Sequence, residues 1–237
     1  MKKFTIIFVV ILLAINLSAQ VNKFGVPVIR NYRTELTMAS EQTWCITKDK
    51  FGNIYFGNQE GGVTRYDGTK WSKIRIGNNP RIYSLTSDDR GIVYVGAIYE
   101  FGYLQPDTKG NIQYISLSQR IDSIPEILQV WFIVTLKGKV YYQTPKSIYV
   151  YDIRSDSLSK INLNKSKINS SFNIININDH LVFSDYEKGM YELHDTTISP
   201  LPGGDYFSKK NCTVFYHMMI ASYWLEHLPT VCYFIIL

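Results

Sequence analysis

An all-β fold assembled from propeller blades is what the sequence predicts, and three observations carry the prediction. The first is a repeat. Trp44–Gly57 returns at an offset of 39 positions (83 − 44) as Tyr83–Gly96, keeping in step an aromatic (Trp44, Tyr83), an aliphatic (Ile46, Leu85), a Thr (Thr47, Thr86), an Asp (Asp49, Asp88) and a Gly (Gly52, Gly91), and closing on Gly57 and Gly96. A period of about 40 residues made of short strands marks a propeller blade. The second is composition: 18 Tyr and 12 Phe in 237 residues are types that suit pleated, half-buried surfaces. The third is the regular return of Asp- and Gly-containing turns between short apolar runs.

The N-terminus reads as an export signal spanning residues 1–19. Lys2 and Lys3 precede the apolar run Phe4–Ile15, and Leu17-Ser18-Ala19 supplies a small residue before Gln20. The run is shorter than the ~20 residues that cross a bilayer comfortably. This predicts a periplasmic or secreted protein, with an uncleaved anchor as the alternative. Residues 20–39 form a lead-in segment.

Four blade repeats are expected over residues 40–204. The first reads as Trp44–Thr47, a turn through Asp49–Asn53, Ile54–Gly57, Gly62–Tyr66, a turn on Asp67-Gly68, and Trp71–Ile76. Asp49 can accept backbone hydrogen bonds from two residues on, and Gly52 can take a positive φ. Asp67-Gly68 predicts a type I′ hairpin, with both residues at positive φ. The second blade runs from about Arg81 to Leu117, with Phe101–Gln105 and Ile112–Leu117 as outer strands. The third is fainter: Val130–Leu136, a Lys137-Gly138-Lys139 turn, Val140–Gln143, Ile148–Asp152 and Leu158–Leu163. The fourth is Phe172–Ile177, an Asn178-Asp179-His180 turn, Leu181–Ser184, Gly189–His194 and Thr197–Leu201. Four blades lie at the bottom of the usual propeller range, so the reading is of an incomplete propeller.

Residues 205–237 break the pattern. Cys212–Leu237 holds a single acidic residue, Glu226, no Lys or Arg, and both His217 and His227. Out-of-frame coding at the end of an interrupted gene is the preferred reading. A capping element is one alternative. A membrane span is another, although Glu226, the two histidines and Pro229 interrupt it.

Charge and motifs narrow the function. Net charge is +5 without a basic run or stripe, which argues against nucleic-acid binding. Cys45, Cys212 and Cys232 are widely spaced and odd in number, so neither a disulfide framework nor a metal set is expected. Cys45 is expected to act as a small apolar residue of an inner strand. No phosphate-binding loop or nucleophile elbow occurs. Asp49, Asp88 and Asp89 fall on turns, and His180 and His194 on a turn and a strand end. No enzyme activity, metal or cofactor is therefore expected. The binding candidates are Trp44, Tyr83 and Trp131, which open the first strands of their blades; Trp71 is a further aromatic to place. Flat aromatic faces hold the apolar C–H faces of sugars, yet strand aromatics serve mostly in cores.

Gly52-Asn53-Ile54-Tyr55-Phe56-Gly57-Asn58, then Gly62-Val63, Tyr66-Asp67-Gly68 and Trp71, resemble the repeat of two-component regulator propellers, as do Val93-Tyr94-Val95-Gly96-Ala97 and Glu100-Phe101-Gly102-Tyr103-Leu104. The resemblance covers about Gly25–Gly204. It implies the periplasmic sensor region of a Bacteroidetes-type hybrid histidine kinase or related regulator, in which a propeller precedes a three-tyrosine β-domain, a membrane helix and a cytoplasmic output module. None of those later parts is read in this sequence, so it resembles an N-terminal fragment attached to a membrane only through downstream regions. The implied partner is an oligosaccharide or other extracellular ligand. The competing functions are an exported interaction scaffold and, less favoured, a polysaccharide-degrading enzyme.

Overall fold

The computed structural model describes residues 31–121, 128–163, 174–185 and 187–209. The expected signal segment, most of the lead-in and almost all of the tail lie outside the described residues. The elements below all fall within Arg33–Leu237, the larger of two units into which the chain divides. A short helix α1 (Thr34–Thr37) precedes four antiparallel four-stranded sheets, each a meander in chain order. They are β1–β4 (Thr43–Lys48, Ile54–Asn58, Val63–Tyr66, Trp71–Ile74), β5–β8 (Ile82–Ser87, Val93–Ala97, Phe101–Pro106, Ile112–Ser116), β9–β12 (Phe132–Leu136, Lys139–Gln143, Ser147–Asp152, Ser157–Asn162) and β13–β16 (Ile175–Ile177, His180–Asp185, Gly189–His194, Thr197–Pro200). The first strands of successive sheets lie against one another, β1 on β5, β5 on β9 and β9 on β13. The sheets thus follow one another as propeller blades, all β and without a substantial helix among the described residues.

The recurring Asp organises the turn between the first two strands of a blade. Asp49 Oδ1 accepts the N–H groups of Phe51 and Asn53, both at 2.9 Å, and its Oδ2 accepts the Tyr55 hydroxyl at 3.1 Å. Gly52, at φ 90°, makes the reversal that this carboxylate caps. Asp88 repeats the arrangement with Arg90, Ile92 and Tyr94. A third copy stands where the sequence reading had none: between β7 and β8, Asp107 accepts the N–H groups of Lys109 and Asn111, both at 2.8 Å. The later blades turn differently. Lys137 and Gly138 (φ 48° and 78°) and Asn178 and Asp179 (φ 49° and 67°) form two-residue turns with both residues at positive φ, as type I′ requires.

The Asp67-Gly68 expectation needs correction. Of the pair, Gly68 alone has a positive φ, 96°. Tyr66 pairs with Trp71 across a four-residue loop, and Asp67 Oδ1 accepts the N–H groups of Thr69 and Lys70. Those bonds lower the Asp67 carboxyl pKa to about 2. The side chain closes the loop by capping it, so Asp67 need not adopt the left-handed conformation.

Apolar side chains fill the spaces between neighbouring blades. Tyr55, Val63 and Ile74 of the first sheet meet Ile82, Val93, Val95, Ala97 and Leu104 of the second. Tyr94 and Phe101 of the second meet Val140, Tyr142, Tyr149 and Tyr151 of the third, and Tyr141, Ile148 and Val150 of the third meet Leu181, Phe183 and Leu193 of the fourth. Polar bonds cross the same gaps, from Ser87 Oγ to the Lys48 carbonyl at 2.8 Å, Ser84 Oγ to the Val130 carbonyl at 3.0 Å and Tyr142 OH to the Gly102 carbonyl at 2.9 Å. Cys45 packs against the first of these clusters as a half-buried thiol, its pKa pushed up to about 12 by burial. On the outer side of the fourth blade, Val182 and Met190 are covered by Leu201 and by Phe207, which belongs to a short 3-10 turn at Gly204–Phe207.

Glycine at the end of the second strand sets how closely blades approach. A Cβ on Gly96 would lie 2.4 Å from Ser84 Oγ and 2.6 Å from Val130 Cγ1 of the next blade. We expect Gly96→Ala to cost about 1–3 kcal/mol through overpacking, read as a lower urea midpoint. A variant as stable as the parent would show that the gap between blades can yield.

Candidate functional site

β-Bulges, which the alternation of the sequence does not announce, place two of the three candidate aromatics. The β1–β2 register shifts between Thr43 and Cys45, leaving Trp44 as the extra residue; the β5–β6 register shifts between Ile82 and Ser84, leaving Tyr83. Trp131 stands one residue before β9, and its N–H reaches the Gln143 carbonyl at 3.1 Å although Gln143 pairs with Phe132. Bulges re-aim side chains at the rims of sheets. Here bulges in the first two blades, and the approach to β9 in the third, bring three rings toward one another.

The rings form a continuous row. Trp44 meets Tyr83 edge to face at a centroid distance of 5.8 Å, and Tyr83 meets Trp131 at 4.2 Å with planes 32° apart. Tyr83 is buried at the centre, while Trp44 and Trp131 are 42% and 37% exposed. Trp44 is oriented by its own hydrogen bond, Nε1 to Gln59 Oε1 at 2.7 Å, and Gln59 is fixed in turn by its N–H on the Gln42 carbonyl. The outer rings therefore keep part of their apolar surface open to solvent, and the central ring stands between them.

Arg81, which the sequence did not single out, completes the row. It sits where Gln42 sits in the first blade, since the Ile98 N–H bonds the Arg81 carbonyl as the Gln59 N–H bonds that of Gln42. Its guanidinium carbon lies 5.7 Å from the Trp44 ring centroid and 5.9 Å from that of Tyr83, within range of a cation–π attraction. Nη1 makes a long bond to the Tyr83 hydroxyl at 3.4 Å. On the same rim, Tyr99 is exposed at a φ of 58°, rare for a bulky residue, with its N–H on the Leu128 carbonyl at 2.7 Å. Position in the repeat could have found Arg81; no sequence signal marks the Tyr99 backbone.

The other candidates lie apart from this row. Trp71 stacks on Tyr66 at 4.7 Å and leans on Phe56 at 5.3 Å, on the first sheet. His180 opens β14 and, with His194, hydrogen-bonds Glu192, His194 Nε2 lying 3.0 Å from Glu192 Oε2. The bond from His180 and the charge of His194 lower the Glu192 carboxyl pKa. Among the described residues no group of three or more His, Cys, Asp or Glu side chains is placed to hold a metal. No helix among them is long and apolar enough to cross a membrane. His217 and His227 lie outside the described residues.

No protein-family model matches the chain. No curated protein matches it either. Solved structures do. The extracellular domain of a hybrid two-component system of B. thetaiotaomicron aligns at a TM-score of 0.54 and 15% identity, over 74% of this chain and 27% of that one. The extracellular domain of a one-component system of the same organism aligns at 0.49 and 19%, over 66% of this chain and 21% of that one. Catalytically inactive virginiamycin B lyase from Staphylococcus aureus, in a structure with quinupristin, aligns at 0.52 and 12%, over 68% of this chain and 55% of that one. This chain thus spans about a quarter of the Bacteroides domains and about half of the lyase. The structural neighbours include extracellular domains of Bacteroides hybrid two-component systems, and at these identities what the likeness shows is the fold, a run of β-propeller blades.

Proposed function

We propose that this chain is the periplasmic ligand-sensing propeller region of a two-component signalling regulator. The observation that carries the reading is the convergence of Trp44, Tyr83 and Trp131 on one rim, two of them exposed. Aromatic rings left half in water by bulged strands contribute less to a core than buried ones do. They suit a ligand with an apolar face, and an oligosaccharide is the extracellular class that stacks this way. Neighbouring extracellular domains of two-component systems share the fold and support the sensor setting. The lyase likeness is one of fold at 12% identity; a catalytic role would need an acid–base pair beside the row, and the charged group seen against the rings among the described residues is Arg81.

Trp44→Ala is expected to weaken oligosaccharide binding by about tenfold, the loss of one stacking contact of roughly 1.4 kcal/mol, with the thermal midpoint little changed. Isothermal titration of parent and variant against a glycan panel, beside thermal melts, checks this. Collapse of the fold in the variant would assign Trp44 to the core. A second reading, an interaction scaffold, draws on the first sheet, where Ile46 is 60% exposed; a specific protein partner with no glycan binding would favour it.

A further inference from the structure

We infer that the aromatic row takes an acidic saccharide, with Arg81 receiving a ligand carboxylate; this rests on the row being a binding site. Two other arginines are held by carboxylates. Arg90 pairs with Asp88 at 2.7 Å and Arg120 with Asp156 at 2.8 Å. Arg65, also half-buried, donates to Asn53 Oδ1 at 2.9 Å. Arg81 is half-buried against two ring faces, and among the described residues no carboxylate lies within ion-pair distance of it.

A guanidinium on an aromatic face is well placed for recognition. Its planar fork keeps donors at its edge while its face is covered, and a fork edge matches a carboxylate bidentately. In Arg81, Nη1 makes only the long bond to the Tyr83 hydroxyl at 3.4 Å, and the buried Nε has no hydrogen-bond partner among the described residues. The rings shield one side of the cation from water, so an anion arriving from the other side meets a charge already partly desolvated. The spacing of parts fits one ligand class. Trp44 lies beside Arg81 in contact range, and Tyr83 links that pair to Trp131. A saccharide chain laid along the row would stack ring faces on the tryptophans and bring a uronate carboxylate to Arg81. A neutral chain would keep the stacking and lose the ion pair.

The test sets uronate oligosaccharides (oligogalacturonate, oligoalginate and aldouronic xylan fragments) beside their carboxyl-reduced neutral forms, using tryptophan fluorescence of the full chain. An acidic form is expected to bind at least about tenfold more tightly than its neutral counterpart, the effect of one charge-assisted hydrogen-bonded contact. Arg81→Gln should abolish that difference, and Arg81→Lys, which keeps the charge but not the fork, should restore part of it. Near-UV circular dichroism reports whether each variant keeps the fold; the acid-versus-neutral ratio of the parent chain tests the inference even where a variant unfolds. Equal binding of acidic and neutral forms by the parent overturns the inference and leaves the aromatic platform standing. Binding of neither form overturns both.

Discussion

Replacing Phe101 by Ala is expected to destabilise the protein by about 3–5 kcal/mol, the range for deleting a fully buried aromatic ring. Phe101 is inaccessible to solvent, with Tyr142 at 4.7 Å and Tyr149 at 5.2 Å from its ring centroid. It projects from β7 into the space between the second and third blades, and both tyrosines belong to the third. The loss therefore falls on the contact between blades more than on either blade alone. In an array whose units touch only their neighbours, stability is a sum of unit and interface terms. Weakening this interface should separate the unfolding of blades one and two from that of three and four. Urea unfolding followed by tryptophan fluorescence reads both effects: a lower midpoint and a shallower slope. Trp44 and Trp131 report from opposite sides of the interface. A loss below about 1 kcal/mol, the level of a tolerated volume-conserving swap, with an unchanged slope would mean that the blades are coupled elsewhere.

The repeat made the first two blades legible because turn chemistry and strand spacing agree in them. Asp, Gly and Tyr recur at fixed distances since one carboxylate caps the turn and receives the hydroxyl of the following strand, as Asp49 does with Tyr55 and Asp88 with Tyr94. The third blade is faint for a physical reason. Its turn is the two-residue Lys137-Gly138, which needs no capping Asp. Where Gly57 and Gly96 stand, it has Gln143, whose Oε1 accepts the Ile174 N–H of the next blade at 2.8 Å. A side chain that supplies a hydrogen bond replaces a glycine that allowed close packing, so the fold persists while the motif changes.

The site was legible in part. Trp44, Tyr83 and Trp131 could be picked from their places at the heads of inner strands. Their mutual approach depends on bulges at Trp44 and Tyr83, and a bulge leaves no alternation signal. Arg81 was hidden for a different reason: one arginine two residues before a tyrosine means little until the strand crosses beside Trp44. The Asp67 turn misled in the opposite sense, since Asp-Gly serves both a two-residue hairpin and a longer capped loop, and loop length is set by the pairing of Tyr66 with Trp71.

Asp88→Ala is expected to cost about 1–3 kcal/mol, the result of leaving several part-buried donors without an acceptor. The Asp88 carboxylate receives the N–H groups of Arg90 at 3.0 Å and Ile92 at 2.9 Å, the Tyr94 hydroxyl at 2.9 Å, and the Arg90 side chain through Nε at 2.9 Å and Nη2 at 2.7 Å. Tyr94 is 1% exposed, so its hydroxyl has no ready exchange with water. Burial acts to raise the Asp88 pKa, but the bonds from Arg90, Ile92 and Tyr94 outweigh it and hold the carboxyl below its ordinary value. The sign of the pH effect follows. With the folded pKa depressed, the stabilisation is complete above the unfolded value of ~3.9 and is lost as pH falls through the lower folded value. The stability difference between the parent and Asp88→Asn, which keeps an acceptor for the backbone but not the charge, should hold steady from neutral pH to about pH 5 and shrink below about pH 4. Chemical denaturation of both proteins across that range measures it. A difference that stays constant down to about pH 3 would show that the charge on Asp88 contributes nothing and that shape alone fills the turn. Asp49→Ala, measured at neutral pH, is the companion variant, because Phe51 stands where Arg90 stands. There the carboxylate bonds Tyr55, the Asn53 side chain and the turn, with no ion pair among the described residues, and its removal should cost less than that of Asp88.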